Sequence, residues 1–322
     1  MGKRRIRNLQ SLGYTDLIGF DPREDRRNES RKKYRITTFS DLNKALRVNP
    51  DAMIISTPPD IHAKYAKIAI KNNIHFFMEL NLFSKDVKKI IQWLKGKQIV
   101  AMPSCSMKFH PVVKEMKKLI DKNTIGKILS IHHHSGFFLP LWHPWENYKE
   151  FFASNKKMGG TRELVAVDLV WLTDLFSGVK SVYGNIKKIS TLDVDIDDIY
   201  QMILEFKSGI LCDFVTDVIS NPPSKVTKLI GEKGTMICDF KEGIIKINKP
   251  TKFRNLQLRM GKIAKGYKGT TPPEILYEEE TKNFVDALNG KKYSYSFEDE
   301  LNILTILEAV ETSSQRGKKI IL

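Results

Sequence analysis

Gly2 and Asp21 have the residue types and the spacing of a dinucleotide-binding turn. In such sites a glycine turn opens a helix whose N-terminus meets the pyrophosphate, and an acid about 20 residues farther on accepts both ribose hydroxyls. Residues 3–12 have a helical pattern, and a candidate strand over residues 16–21 ends on Asp21. Asp21 precedes a proline and could be a simple turn former, but its distance from Gly2 favours the ribose contact.

The charges around Asp21 indicate which dinucleotide would bind. A carboxylate at this position repels a 2′-phosphate, so Asp21 favours NAD over NADP. Arg23, Arg26 and Arg27 follow closely and leave NADP as an alternative. We therefore include Arg23 among the predicted cofactor-binding residues.

A second candidate cofactor segment runs from Thr57 to His62, at the end of an apolar strand. Its two prolines stiffen the backbone and fix the direction of the carbonyl groups. We predict that Thr57, Pro58, Pro59 and His62 lie beside the nicotinamide half of a cofactor. The segment also has the form of a capped helix start, with Asp60 or Thr57 as the cap.

The run His132-His133-His134 suggests a metal site at first sight. In a strand, His132 and His134 lie on one face and His133 lies on the other. Metal sites need three or four converging ligands, and no acid or cysteine nearby in the sequence completes a set. We therefore predict ordinary strand histidines and no bound metal.

The first third of the chain predicts a parallel sheet that would position these residues. Short apolar strands alternate with helical patterns, as in doubly wound α/β folds. The strand candidates are residues 16–21, 51–57, 75–78 and 99–102. Ligands of such sheets bind at the carboxyl ends of the strands, where the candidate cofactor residues stand. Residues 1–107 are thus predicted to form an NAD(P)-binding, Rossmann-like α/β domain.

The rest of the chain has longer strands separated by turn residues, a pattern typical of an antiparallel meander. It predicts an α+β domain over residues 108–322 with an open, mainly antiparallel sheet. Helices are predicted over residues 162–176, 274–288 and 297–315, the last of them packing back on the first domain. The polar residues 251–272 are predicted to be a loop.

The composition is that of an ordinary globular protein, with 322 residues of which 41% are hydrophobic and 28% charged. No apolar run is long enough to cross a bilayer, and no secretory signal is recognisable. Cys105, Cys212 and Cys238 form neither a metal spacing nor a disulfide framework, which favours the reducing cytoplasm. The net charge of +16 is spread along the chain without a recognition motif, so no specific nucleic-acid partner is predicted.

Several segments, taken in order, resemble the glucose–fructose oxidoreductase, inositol dehydrogenase and MocA family (Gfo/Idh/MocA). No single segment is specific, but their order and spacing extend over nearly the whole chain. The matching segments are Gly2-Lys3-Arg4-Arg5, residues 51–62 (DAMIISTPPDIH), residues 106–111 (SMKFHP), residues 125–128 (IGKI), residues 142–148 (WHPWENY), Gly159-Gly160 and residues 304–322.

The resemblance implies a Rossmann domain followed by an α+β domain whose open sheet often serves for dimerisation, here in a homodimer or homotetramer. It also implies hydride transfer between NAD and a carbon of a sugar, sugar nucleotide or cyclitol. Gly2, Lys3 and Arg4, which lead into the first helix, are then cofactor-binding residues. The segment 142–148 is similar to family members associated with surface-polysaccharide sugars.

Two departures from the family pattern concern the cofactor domain. Only Gly2 of the glycine turn is present and the strand before it is missing, which predicts that the true start lies upstream, with a truncated and compromised chain as the alternative. The family's Glu-Lys-Pro is Glu79-Leu80-Asn81 in this sequence. Leu80 cannot replace a lysine that orients substrate and assists proton transfer, whereas Glu79 is retained as a predicted contact of the nicotinamide ribose.

Asp168 stands where the family has a catalytic histidine, if Gly160 and Gly178 are aligned. A desolvated carboxylate could be tuned toward neutral pH and act as the base of an alcohol oxidation. Asp168 could instead be a polar residue of a helix that faces a cleft. Glu163 is an alternative acid on the same helix.

Three further residues are candidates for catalysis under the same resemblance. His143 and Tyr148 belong to a tryptophan-rich segment that fits either a sugar-stacking pocket or a buried loop anchor. Lys108 takes the place of a family arginine and could hold an anionic group. We predict an oxidoreductase, with a catalytically impaired binding or assembly protein as the alternative, because both the family lysine and the family histidine are replaced.

Overall fold

The structure is a computed structural model that describes residues 1–145, 147–263 and 272–322. The chain divides into two compact units. Unit 1 comprises Met1–Ser104 and Tyr277–Asp299, and unit 2 comprises Cys105–Leu276 and Glu300–Leu322. In these described ranges, no helix is long and apolar enough to cross a membrane.

Unit 1 is built from parallel strands joined by helices, as the alternating sequence pattern predicts. Its strands are β1 (Ile18–Phe20), β2 (Thr37–Phe39), β3 (Ala52–Ile55), β4 (His75–Met78) and β5 (Ala101–Pro103). The helices between them are α1 (Gly2–Ser11), α2 (Glu24–Tyr34), α3 (Leu42–Leu46), α4 (His62–Lys71) and α5 (Ser84–Leu94). All strand pairs of this unit are parallel, which confirms the predicted α/β class.

The strands of unit 1 form two separate sheets, one of β1 and β2 and one with the order β3-β4-β5. In a Rossmann domain the strand that precedes the glycine turn lies between these two groups. No strand in the described part of the chain joins β1 to β3. Each of these two strands therefore keeps one edge without a strand partner among the described residues.

The sheet of β3, β4 and β5 is packed against a helix from late in the sequence. Phe77 of β4 and Met102 of β5 form one apolar cluster with Phe284 and Ala287. The rings of Phe77 and Phe284 lie 5.8 Å apart between centroids. This burial of apolar surface accounts for the inclusion of residues 277–299 in unit 1.

Unit 2 combines one large sheet with helices. Its strands are β6 (Ile128–Phe138), β7 (Val179–Lys187), β8 (Ile199–Phe206), β9 (Leu211–Asp217), β10 (Ile219–Gly231), β11 (Gly234–Asp239), β12 (Ile244–Lys249), β13 (Lys252–Gln257) and β14 (Ile320–Ile321). The remaining α-helices in the described ranges are α6 (Pro111–Asp121), α7 (Leu139–Trp142), α8 (Thr161–Phe176), α9 (Glu274–Leu288) and α10 (Phe297–Arg316). The boundary between the two units falls within α9 and within α10.

The large sheet has nine strands in the order β13-β12-β11-β10-β6-β9-β8-β7-β14. Among the described residues, only β6 and β9 pair in parallel in this sheet, and the other neighbours are antiparallel. The predicted open, mainly antiparallel sheet is confirmed. Along β8, Tyr200, Met202 and Leu204 are buried whereas Gln201 and Ile203 are exposed, so one face of the sheet is covered and the other is open.

Helix α8 lies on the covered face, against β8 and β9. It buries most of its residues because apolar side chains surround the helix almost completely. Asp168 is on this helix and is itself fully buried. A buried carboxylate requires partners, and those of Asp168 lie on β6, on β10 and on α8 itself.

Helix α10 approaches β7 closely at Gly184. A Cβ atom at Gly184 would lie 2.7 Å from Cγ1 of Val310 and 2.8 Å from its carbonyl oxygen. The backbone N–H of Gly184 donates to Oγ of Ser313 at 3.0 Å. Glycine is therefore required at this position by the distance between the helix and the strand.

The prediction of a loop over residues 251–272 is wrong for its first part. Residues Lys252–Gln257 form β13, the edge strand that pairs antiparallel with β12. Five of the six side chains of β13 are exposed, so the strand has no alternation of apolar and polar residues that the sequence could have shown. Residues 264–271 lie outside the described residues.

Candidate functional site

Asp21 directly follows β1, at the carboxyl end of a parallel strand. Its Oδ1 accepts a hydrogen bond from the backbone N–H of Arg23 at 2.9 Å, and 31% of its side chain is exposed. Arg26 lies 3.8 Å from Oδ2, while Arg27 donates to the carbonyl oxygens of Asp21 and Pro22. The carboxylate is thus held in place and still reachable, as a ribose ligand must be.

Gly2 is the first residue of α1, and a Cβ added to it would meet only Cβ of Ser56, at 3.8 Å. The nearby cationic residues contact the protein itself. Lys3 pairs with Glu29 of α2, and Arg4 lies over the ring of Tyr277 at 4.0 Å. Arg23 pairs with Asp25 at 2.6 Å. The cofactor roles of Lys3, Arg4 and Arg23 stay predictions.

The segment after β3 carries two buried polar atoms without a hydrogen-bond partner among the described residues, Oγ1 of Thr57 and Nδ1 of His62. His62 donates from Nε2 to the carbonyl oxygen of Thr57 at 2.8 Å. Burial lowers the pKa of His62, so the ring is neutral and Nδ1 is an acceptor. Buried polar atoms without partners are uncommon and indicate a missing ligand or water.

The alternative interpretation of this segment as a side-chain-capped helix start is wrong. Pro59–Ile61 forms a short 3-10 helix that begins after Pro58, and α4 begins at His62 after Ile61. Neither start receives a side-chain capping hydrogen bond. Thr57 and Asp60 therefore do not have the capping role that would have explained their residue types.

Replacing Thr57 with Val should have opposite effects on stability and on cofactor binding. Valine has the same shape and removes the unpartnered hydroxyl, so the free energy of unfolding without cofactor should rise by up to about 1 kcal/mol. Loss of a hydrogen bond to bound NADH should weaken binding roughly two- to tenfold. Denaturant unfolding and NADH titration measure the two effects. Thr57→Ser is the matched control, and unchanged NADH affinity in Thr57→Val would exclude the contact.

Glu79, at the end of β4, is held by an arginine that the sequence analysis did not single out. Arg5 donates from Nε to Oε1 at 2.8 Å and from Nη2 to Oε2 at 3.1 Å. Ser56 donates to Oε1 at 3.3 Å. Burial raises the pKa of Glu79, but Arg5 together with the amino terminus and His62 lowers it more, so the group is a carboxylate with a pKa below its usual value. The carboxylate of Glu79 therefore has a structural role within unit 1. Its predicted contact with the nicotinamide ribose stays a prediction.

Arg5 is also fully enclosed and has a second carboxylate partner. Nη2 lies 2.5 Å from Glu280, and Nη1 donates to Oγ1 of Thr281 at 3.1 Å. Its guanidinium lies 4.4 Å from the centre of the Phe77 ring. Arg5 therefore ties α1 to β4 and α9 inside unit 1.

In unit 2, Asp168 accepts hydrogen bonds from three side chains. Lys225 of β10 and Trp171 donate to Oδ1, the latter at 2.9 Å. His133 of β6 donates from Nε2 to Oδ2 at 3.2 Å. Burial raises the pKa of Asp168, but Lys225 and His133 lower it more, and the pKa lies well below its usual range. The expected tuning of Asp168 toward neutral pH is wrong, because two donors stabilise its charged form.

The three consecutive histidines have different surroundings. His132 pairs with Asp213, and His134 donates to Asp217 at 2.8 Å. His133 faces the other way, as predicted, and its Nδ1 lies 2.8 Å from Oγ1 of Thr227. Burial lowers the pKa of His133, so the neutral ring donates to Asp168 and accepts from Thr227. No group of metal-binding side chains is found in the described parts of the chain.

His110 lies near the same cluster and caps α6. Its Nδ1 accepts from the backbone N–H of Val112 at 3.2 Å, and its ring lies 5.1 Å from that of Phe240. Burial, with a smaller effect of Lys225, lowers the pKa of His110 to about 3. The side chain of His110 is thus the N-terminal cap of α6.

The other candidate catalytic residues lie in different surroundings. Lys108 donates to Asp174 at 2.8 Å. The His143 ring stacks on Trp145 at 4.8 Å and lies 4.6 Å from the Phe151 ring. Tyr148 packs on the same apolar cluster around Phe151, whereas Glu146 is outside the described residues. The predicted catalytic residues thus fall into three groups, and their roles stay predictions.

Two family models match this chain. Residues 1–103 match the oxidoreductase family model described as an NAD-binding Rossmann fold (GFO_IDH_MocA), and residues 113–237 match the GFO/IDH/MocA C-terminal domain. The chain belongs to the Gfo/Idh/MocA family. This confirms the resemblance of the sequence segments and makes unit 1 an NAD-binding Rossmann domain of an oxidoreductase family.

The relatives and similar solved structures of this chain include proteins whose names refer to carbohydrates. The 2,7-anhydro-N-acetylneuraminate hydratase of Escherichia coli (strain K12) is 27% identical over 294 residues, covering 82% of this chain and 77% of that protein. A levoglucosan dehydrogenase in complex with NADH has a TM-score of 0.84 at 17% identity, covering 100% of this chain and 96% of that one. An Agrobacterium radiobacter oxidoreductase in complex with NAD+, L-tartaric acid and magnesium has a TM-score of 0.85 at 12% identity, with 99% and 95% covered. The two solved structures share the fold.

The residues of unit 1 fit NAD, the cofactor of this family. Asp21 offers a reachable carboxylate to ribose hydroxyls, and Gly2 is the first residue of α1, whose N-terminus is where a pyrophosphate would bind. Thr57 and His62 offer two polar atoms whose hydrogen-bonding capacity is unused among the described residues. These are the residues that would hold the cofactor along the carboxyl ends of β1 and β3.

Proposed function

We propose that this Gfo/Idh/MocA oxidoreductase acts on an alcohol or carbonyl carbon of a sugar, sugar nucleotide or cyclitol. NAD, when bound, supplies the hydride acceptor or donor for such chemistry. The observation that carries the proposal is the reachable carboxylate of Asp21 at the end of a parallel strand, in a unit that matches the NAD-binding model. The relatives named for anhydro-N-acetylneuraminate and levoglucosan support a carbohydrate substrate.

The setting that we propose is surface-polysaccharide biosynthesis in the cytoplasm, with no specific nucleic-acid partner. The similarity of residues 142–148 to family members associated with polysaccharide sugars supports the pathway. The three cysteines are free and buried, which supports a reducing compartment. We retain NAD as the preferred dinucleotide because of Asp21.

Turnover with a small panel of sugars tests the proposed function. Purified protein is incubated with NAD+ and levoglucosan, 2,7-anhydro-N-acetylneuraminate, myo-inositol or UDP-N-acetylglucosamine, and with NADH and L-sorbose in the reverse direction. Absorbance of the reduced nicotinamide reports the reaction. A change in absorbance that depends on the sugar is expected for at least one panel member.

A second candidate function, a binding or assembly protein without catalysis, is favoured by Leu80 and by the buried, low-pKa carboxylate of Asp168. Both changes remove groups that transfer protons elsewhere in the family. In that case the protein would bind NADH or a panel sugar without turnover. The same panel therefore separates the two functions.

Replacing Asp21 with Ala should weaken NADH binding by at least about tenfold, because two hydrogen bonds to a charged acceptor are lost. The preference for NADH over NADPH should narrow, because the repulsion of the 2′-phosphate is removed. Fluorescence titration with both dinucleotides measures the change. Asp25→Ala, which removes an exposed acid on α2, should leave the affinity within about twofold. Equal affinities of wild type and Asp21→Ala would exclude Asp21 from the cofactor site.

We also propose that the open face of the large sheet forms a homodimer or homotetramer interface. Tyr183 and Ile203, which lie opposite each other in β7 and β8, are 45% and 52% exposed, and Leu211 of β9 is 53% exposed. Replacing Ile203 with Lys should lower the molar mass in light scattering by at least half, because a buried charge opposes association. Val48→Lys changes an exposed apolar residue of unit 1 and should leave the mass unchanged. A monomeric wild type would contradict the interface.

A further inference from the structure

A serine, a histidine and an aspartate form a hydrogen-bonded chain at one end of the open face of the large sheet. Oγ of Ser224 lies 3.1 Å from Nδ1 of His134, and Nε2 of the same ring lies 2.8 Å from Oδ2 of Asp217. All three residues belong to unit 2, on β10, β6 and β9. Ser224 and His134 are 90 residues apart in the sequence, so the pairing of the strands brings them together.

The charge of Asp217 determines where the protons of this chain lie. Burial raises the pKa of Asp217, but hydrogen bonds from His134, from Ser220 and from two backbone N–H groups lower it more, so the group is a carboxylate. A carboxylate only accepts hydrogen bonds, so Nε2 of His134 carries a proton. In the neutral ring Nδ1 is then an acceptor, and it receives the hydroxyl proton of Ser224. In this arrangement a histidine can act as base toward a serine while an acid holds the ring.

The backbone around this chain departs from a regular sheet. Between Ile219 and Ser224 the register of β10 with β6 shifts, so the intervening residues bulge out of the ladder. Irregularities of this kind re-aim side chains and are frequent beside active sites. A Cβ atom at Gly136 of β6 would lie 2.3 Å from Oγ of Ser220 and 3.0 Å from Oδ2 of Asp217. Glycine at this position therefore leaves the room that the carboxylate and its partners occupy.

The histidine and the serine of this chain are accessible from solvent, whereas the aspartate is enclosed. The side chain of His134 is 41% exposed and that of Asp217 is 5% exposed. Ser224 is partly exposed, and the pairing of β10 with β11 begins only at Val226, so no described strand pairs with Ser224 on that side. Leu211, an exposed apolar residue of the proposed interface, is the first residue of β9, whereas Asp217 is its last. The chain therefore lies away from that residue, at the opposite end of the strand.

We propose that Ser224 is a nucleophile toward small carboxylic esters, with His134 as its general base and Asp217 as the residue that positions the ring. The activity is hydrolysis and needs no dinucleotide, so it is independent of the proposed function.

The reaction has two balanced steps. Oγ of Ser224 forms a bond to the ester carbonyl carbon, its proton passes to Nδ1 of His134, and the π electron pair moves to the carbonyl oxygen. That pair re-forms the carbonyl as the bond to the alcohol oxygen breaks, and the alcohol leaves with the proton from Nδ1. Water then attacks the acyl group on Ser224 in the same way, which releases the carboxylic acid and restores the serine.

Hydrolysis of 4-nitrophenyl acetate by the full chain, without dinucleotide, tests this proposal through the absorbance of released 4-nitrophenolate. Ser224→Ala and His134→Gln should each lower the protein-dependent rate roughly 10²- to 10⁴-fold, the usual contribution of acid–base catalysis. His132→Gln is the matched control, because His132 pairs with Asp213 on the same two strands and lies opposite Lys228 of β10. It should keep the wild-type rate. A wild type no faster than buffer, or a Ser224→Ala protein at the wild-type rate, would overturn the proposal.

Covalent labelling locates the nucleophile in the wild-type protein and does not depend on turnover. The protein is treated with an alkyl fluorophosphonate, which reacts with activated serines, and the adduct is located by peptide mass spectrometry. We expect the adduct on Ser224, and its loss in a folded His134→Gln protein. An unmodified Ser224 in the wild type would overturn the proposal.

The pH dependence of ester hydrolysis tests the positioning role of Asp217. Asp217→Asn keeps the size of the side chain but removes the charge that stabilises the protonated ring of His134. The rate is lost on acidification as the base becomes protonated, so the midpoint of this loss should move to lower pH in the variant. A lower rate with an unchanged midpoint would show that Asp217 supports only the fold.

Discussion

Arg5→Met lowers the free energy of unfolding by about 3–5 kcal/mol, the cost of leaving a buried charge without its partner. The substitution leaves Glu79 and Glu280 facing each other around an apolar side chain, and 98% of the Arg5 side chain is enclosed. The free energy of unfolding of a domain is typically about 5–15 kcal/mol, so the substitution removes much of the stability of unit 1. Chemical denaturation followed by circular dichroism measures the effect.

Two further variants show whether the cause is electrostatic. Lys33→Met removes an exposed pair with Glu29 and should cost less than about 1 kcal/mol. Adding Glu79→Gln and Glu280→Gln to Arg5→Met removes the unpaired charges and should recover a large part of the lost stability. If Arg5→Met were as mild as Lys33→Met, the buried network would not hold α1 to the sheet.

Acidification destabilises the protein below pH 6.5 because buried histidines resist protonation. The pKa of His110 is about 3 in the folded protein, so between that value and about 6.5 the unfolded chain binds a proton that the folded chain does not. The stability contributed by the neutral ring is therefore complete above the unfolded pKa and is lost as the pH falls. The slope is about 1.4 kcal/mol per pH unit for one such group. Burial lowers the pKa of His62 and His133 as well, which steepens the loss.

Free energies of unfolding measured from pH 7.5 to pH 4.5 test this dependence. His110→Asn keeps a side-chain acceptor at the start of α6 but does not titrate. The free energy of unfolding should change with pH less steeply in the variant than in the wild type, by about 1.4 kcal/mol per pH unit. The free energies of unfolding of the two proteins should differ least above pH 7. Identical slopes would show that His110 becomes protonated without unfolding.

The sequence predicted the parts of the fold that depend on local pattern. The apolar strands of unit 1 and the helix Thr161–Phe176 have local patterns that determine their type. Strand β13 was not predicted because an exposed edge strand needs no apolar face and therefore shows no alternating pattern. The cofactor candidates followed from the Gly2–Asp21 spacing and from the resemblance, since the carboxyl ends of parallel strands bind ligands.

The buried networks could not be predicted in the same way. Arg5 meets partners 74 and 275 residues away, and Asp168 meets His133 and Lys225, which are 35 and 57 residues away. Alternation along β6 placed His133 on the opposite face from His132 and His134, but no local signal indicated Asp168 as its partner. The pKa of Asp168 depends on those contacts, which is why a carboxylate expected near neutral pH is strongly acidic.

Titration of NADH into this protein, followed by nicotinamide fluorescence, tests the central claim most directly. The account predicts a saturable signal with a dissociation constant roughly between 1 µM and 1 mM, as for many enzyme ligands, that weakens in Asp21→Ala. A signal that does not saturate in the wild type, or one that is identical in Asp21→Ala, would contradict the assignment of the cofactor to unit 1.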